Sequence, residues 1–150
     1  MHPAKRMLLL PALAVALAAA GCGDGGKNDF IEGYNAATQP LNQLMGDLGT
    51  AGAATGADGQ AEAEQKLVKM ADGLDDVEGR LRALEPPSDA KDEYDRMLAA
   101  LDANTAQVRT MAKAIKSGNL DKLTKATTEF SKKGTELVQA EQALRTVVNG

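Results

Sequence analysis

The chain has no tryptophan, one cysteine, one histidine, and only two phenylalanines and two tyrosines in its 150 residues. Each scarcity removes a class of function. A single cysteine cannot close a disulfide within the chain. The lone histidine, His2, lies at the extreme N-terminus, so the usual ligand sets of di-iron and haem sites and the histidine-based nucleophilic triads are missing from the body of the protein. Few aromatics and an acidic balance (formal charge −4) argue against nucleic-acid binding, which relies on basic surfaces and stacking platforms. No EF-hand spacing, phosphate-binding glycine loop or dinucleotide fingerprint occurs; "GDGG" (Gly23 to Gly26) precedes no strand. Period-two alternation of strand length is absent as well. These absences argue against an enzyme and imply no cofactor and no metal.

The one long apolar run stands at the start. Lys5 and Arg6 precede "MLLLPALAVALAAA" (Met7 to Ala20), 14 residues and too short for the roughly 20 that cross a bilayer as a helix. Small residues then lead to Cys22. The pattern is that of an export signal. Ordinary cleavage after Ala20 would leave Cys22 as a free thiol near the new terminus, a reactive liability in an exported protein. "AAGC" (Ala19 to Cys22) resembles the bacterial lipobox, with Ala19 where leucine is more usual. That resemblance implies a diacylglycerol thioether on Cys22 and cleavage between Gly21 and Cys22. Residues 1–21 are then the lipoprotein signal peptide, 22–29 a lipidated, flexible polar tether, and 30–150 the folded domain. Lys5, Arg6 and His2 leave with the signal, so the formal charge moves from −4 to −6 and no histidine remains.

From residue 30 onward the hydrophobic period is helical throughout. Phe30, Tyr34, Ala37, Leu41, Leu44 and Leu48 step by threes and fours, as do Leu67, Met70, Leu74, Val77, Leu81 and Leu84. A third series runs through Tyr94, Met97, Leu98, Leu101, Thr105, Val108, Met111 and Ile115. A fourth runs through Leu120, Leu123, Thr127, Phe130, Gly134, Leu137, Leu144 and Val148. Each series is one face of a helix that must be buried. "GTAGAATGADGQ" (Gly49 to Gln60), "EPPSD" (Glu85 to Asp89) and "SGN" (Ser117 to Asn119) separate them, with Asn28, Ser88 and Asn119 as caps. Pro40 should kink or split the first helix near Thr38. Short connections make neighbours antiparallel, which predicts an all-α, up-down four-helix bundle. Phe130, mid-stripe, is expected among the most buried side chains. Gly134 on the buried stripe would admit a close helix contact, and Gly33, Gly46, Gly73 and Gly79 read as tolerated losses of helix propensity.

In that arrangement the turn after the second helix shares an end with the start of the first. Asp29, Glu32, Asp72, Asp75, Asp76, Glu78, Glu85, Asp89, Asp92, Glu93 and Asp95 belong to this end, and Lys66, Lys69, Arg109, Lys113, Lys116, Lys122 and Lys125 to the other. The acidic clusters "DEYD" (Asp92 to Asp95) and Asp75–Asp76 are expected as solvated faces, and Met45, Met70, Met97 and Met111 as core filling. Lys113, Lys116, Lys122 and Lys125 flank a single tight turn, the candidate docking surface for an acidic envelope protein or anionic polymer.

The lipobox with its polar tether, "FIEGYNAATQPLNQL" (Phe30 to Leu44), "LRALEPPSDAKDEYDRML" (Leu81 to Leu98) and the long helical tail resemble the small helical lipoproteins of high-GC Gram-positive bacteria, families largely of unknown function. The resemblance implies location and fold but no activity. The expectation is a non-enzymatic helical interaction module held by lipid on Cys22 at the outer face of the cell membrane. The alternative is a ligand carrier with an apolar cavity between its helices.

Overall fold

The computed structural model describes residues 25–41, 43–44 and 57–150. The signal peptide, Cys22, Met45, Gly46 and Leu48 lie outside them. Among the described residues four helices form an antiparallel up-down bundle: α1 (Gly25–Thr38), α2 (Ala57–Arg82), α3 (Lys91–Lys116) and α4 (Leu120–Asn149). α3 packs along both α2 and α4, and α1 lies against α2. The first turn of α1 sits beside the α2–α3 turn, where Lys27 Nζ meets Asp89 Oδ2 at 3.2 Å and the rings of Phe30 and Tyr94 meet edge-on at 5.2 Å. We call this end the base. At the opposite end, the tip, Gln60 Nε2 donates to the carbonyl of Ile115 at 2.9 Å and Lys116 pairs with Glu64 at 3.1 Å.

The breaks follow backbone chemistry. Pro40 has no amide hydrogen, so α1 ends at Thr38; helical backbone resumes at Leu41 and the chain is split there. The α3–α4 turn uses Gly118 at φ 63°, a left-handed conformation that suits glycine, and Asn119 then caps α4 by accepting from the Lys122 amide at 2.9 Å. Two expected caps are corrected. α1 already begins at Gly25, which puts Asn28 inside the helix and makes Gly25–Asp29 helical rather than part of a flexible tether. α3 is entered through Ala90, which makes no side-chain cap bond; Ala90 is fully buried, and a polar side chain there would be taken out of water, so Ser88 stays in the preceding turn. The glycine-rich break also ends earlier than expected, because Ala57 to Gln60 are already in α2.

α1 is about 21 Å long at 1.5 Å per residue, against about 39 Å for each of α2 and α3. It therefore fills the fourth position of the bundle in the base half. Buried residues occupy both halves, Thr105 and Val108 of α3 among them. Phe30, Tyr34, Leu74, Val77, Leu81, Tyr94, Met97, Leu144 and Val148 are all buried, and the Tyr94 hydroxyl donates to the Leu81 carbonyl at 2.6 Å. Met70 and Met97 belong to this continuous core, and Met111 packs partly buried against it.

Three readings of the core are corrected by how the helices meet. Leu120 is 74% exposed, because it stands in the first turn of α4 at the very end of the bundle, with no described helix packed over it. Phe130 is buried, yet at 8% exposed it is the least enclosed non-alanine side chain of the core. The close approaches fall at Gly33 and Gly73 instead of Gly134. A Cβ on Gly33 would stand 2.8 Å from Leu84 Cδ2 and one on Gly73 would stand 2.6 Å from Leu44 Cδ2, whereas at Gly134 the nearest atom is Asn104 Nδ2 at an ordinary 3.7 Å. Leu84, just past the end of α2, thus seats on α1, and Leu44 seats back on α2.

Candidate functional site

The α3–α4 turn brings the four predicted lysines together, as a five-residue separation across Ser117–Asn119 requires. All four are exposed. Lys116 is engaged with Glu64 of α2, and no ion pair forms at Lys113, Lys122 or Lys125 among the described residues. Leu120, in the midst of this set, is the most exposed large apolar side chain described. The tip is thus a cationic rim around one protruding leucine. Its surroundings moderate the charge. Lys66 pairs with Glu62 at 2.8 Å, and Asp121 lies in the first turn of α4.

The division into an acidic end and a basic end is only partly correct. Asp75 and Arg109, assigned to opposite ends, face each other across α2 and α3 and form an ion pair. The base also carries its own cations. Lys27 pairs with Asp89, Arg82 with Glu78, Lys91 with Asp95 at 2.8 Å, and Arg96 with Glu93 at 2.8 Å. Hydrogen bonding to Asp95 pushes the Lys91 ammonium above its usual range. Most of these groups lie on solvated helix faces, but Glu78 is itself buried and held by Arg82. Among the described residues, no three His, Cys, Asp or Glu side chains gather where a metal ion could be held, and no helix is long and apolar enough to cross a membrane.

The sequence reading missed one buried group. Glu141 lies four residues after Leu137 and three before Leu144, on the apolar phase of α4, and is 5% exposed. It hydrogen-bonds the hydroxyl of Tyr34 on α1. Burial pushes the Glu141 carboxyl above the ordinary carboxylate range, while the nearby Arg145 guanidinium and the Tyr34 bond oppose that rise. Burial, with the negative charge of Glu141 second, raises the Tyr34 phenol in turn. A carboxylate where the stripe calls for leucine was the signal in the sequence. The bond joins α1 to α4, whereas the packing of α1 is mainly against α2. A second buried polar side chain, Asn104 of α3, faces Gly134 and leaves its Oδ1 without a partner.

No family model matches the chain, and no curated protein or solved structure is significantly similar to it.

Proposed function

We propose that this protein is a non-enzymatic interaction module, exported and lipid-anchored through Cys22 at the outer face of the cell membrane, whose tip docks an acidic envelope protein or anionic polymer. Its location rests on the Lys5–Cys22 pattern and on the resemblance to small helical lipoproteins of high-GC Gram-positive bacteria. One observation carries the docking role. α1, which follows Cys22 within three residues, starts at the base, so the lysine turn lies a full helix length, about 39 Å, from the anchor. Unpaired ammonium groups held at that distance speed and strengthen encounter with polyanions.

Two experiments test this reading. Cys22→Ser removes the acyl acceptor, so the mature protein should leave the membrane fraction; unchanged membrane association defeats the anchor. Replacing Lys113, Lys116, Lys122 and Lys125 together by glutamate reverses the local charge, and partner capture on intact cells should fall. High salt should weaken capture by the unsubstituted protein. Equal capture by both proteins at low and high salt removes the docking role.

A further inference from the structure

We propose that the tip has a second ligand, the anionic lipid surface of the membrane that carries the protein. The inference rests on lipidation of Cys22, and it starts from Leu120. Lysines alone would serve any polyanion, but a leucine 74% exposed at the leading edge of a cationic turn adds a group that gains only from an apolar medium. A bundle anchored at its base meets the same bilayer only by lying along it. Lys122 and Lys125 follow Leu120 by two and five residues on α4, and Lys113 and Lys116 stand at the end of α3, so a surface that Leu120 touches is on the order of a Debye length from all four ammonium groups.

The anchor makes so small a site sufficient. Cys22 to Gly25 is three residues, a leash of about 10 Å at full extension, attached at the base. A bundle about 39 Å long can lean about that leash until its tip meets the same bilayer. Each lysine close to an anionic surface contributes about fivefold in affinity, so the three without ion pairs contribute about a hundredfold together. Tethering supplies an effective concentration in the millimolar range, so even a contact with millimolar affinity is substantially occupied. Charge acts in the same sense at the other end. The exposed Asp29, Glu32, Glu85 and Asp92 at the base are repelled by an anionic leaflet, which favours rotation of the tip toward it.

The test uses the lipidated mature protein in vesicles, with a polarity-sensitive fluorophore on Ser117→Cys, an exposed position in the turn and the only free thiol once Cys22 is acylated. Vesicles of phosphatidylcholine alone are compared with vesicles of phosphatidylcholine and phosphatidylglycerol. The emission should shift blue on the anionic vesicles only, and salt should reverse the shift. Leu120→Ser and the triple variant Lys113→Glu, Lys122→Glu, Lys125→Glu should each abolish it, with unchanged circular dichroism. An emission that remains that of a water-exposed probe on anionic vesicles overturns the proposal. So does a shift that Leu120→Ser leaves intact, which assigns the tip to soluble polyanions alone. Partner capture on cells by Leu120→Ser separates the two functions. Retained capture with a lost shift keeps both, whereas a shift that the lysine variant retains overturns the lipid proposal, and capture that the lysine variant retains defeats the docking role alone.

Discussion

The base and the tip of this bundle are built from the same kinds of helix, yet they differ in what the fourth position holds. In the base half α1 closes the square. Leu84 seats on Gly33, Leu44 on Gly73, the Phe30 ring meets Tyr94, and Tyr34 bonds Glu141. In the tip half the described residues leave Leu120 and the lysine rim facing solvent. The difference teaches that a bundle can be buried along its whole length, with Thr105 and Val108 enclosed as fully as Leu81 and Leu144, and still expose one apolar side chain at an end. The proposed docking role places a partner at that end.

The sharpest way to break that comparison is truncation at the two ends. Tyr94→Ala removes a ring 2% exposed together with its bond to the Leu81 carbonyl, and should cost about 4 kcal/mol in denaturant titration. Leu120→Ala should change stability by no more than about 0.5 kcal/mol. Comparable losses at both sites would mean that the tip is as much a part of the core as the base. Phe130→Ala should fall between them at about 3 kcal/mol, since its residual exposure trims the cost of a large aromatic truncation.

The glycines give a finer measure. Gly79→Ala meets nothing within 4 Å and should stabilise α2 by up to about 1 kcal/mol. Gly73→Ala offers the same helix propensity but forces Leu44 to move, so it should be less favourable than Gly79→Ala by about 1 kcal/mol. Equal effects would show that Leu44 does not seat on α2. Gly134→Ala, with its Cβ at an ordinary distance from Asn104, should behave like Gly79→Ala.

A smaller effect, read by pH, concerns Glu141. Its folded carboxyl titrates above the unfolded value, chiefly because it is buried, so the folded state holds the proton more tightly. The stability this contributes is fully present below the unfolded pKa and is lost as pH rises through the folded one. Glu141→Gln keeps the shape and a hydrogen-bonding group for Tyr34 but cannot ionise. The variant should therefore gain stability relative to the unsubstituted protein as pH is raised from the unfolded carboxylate range toward neutrality. A pH-independent difference in denaturation midpoint would mean that the carboxyl titrates as if in water.

Much of the fold was legible in the chain because helical periodicity and helix breaks are local properties. The apolar series of α2 and α3 carry the buried residues in register, and Pro40, the Pro86–Pro87 turn and Gly118–Asn119 interrupt the helices as their backbone chemistry demands. The site was legible only in part. Four lysines around one turn are close in any helical hairpin, but the pairing of Lys116 with Glu64 and the exposure of Leu120 depend on another helix.

The amino-acid sequence by itself determined the helical class, the antiparallel order that short turns impose, and the case for an anchor at Cys22, since each rests on residues near one another in the chain. Only the tertiary structure decided that Gly33 and Gly73 receive leucines, that Asp75 faces Arg109, and that Glu141 is buried against Tyr34. The reason is that burial is a relation between helices. A stripe states which face must be covered, but how completely each position is covered depends on the length and side chains of whatever packs across from it.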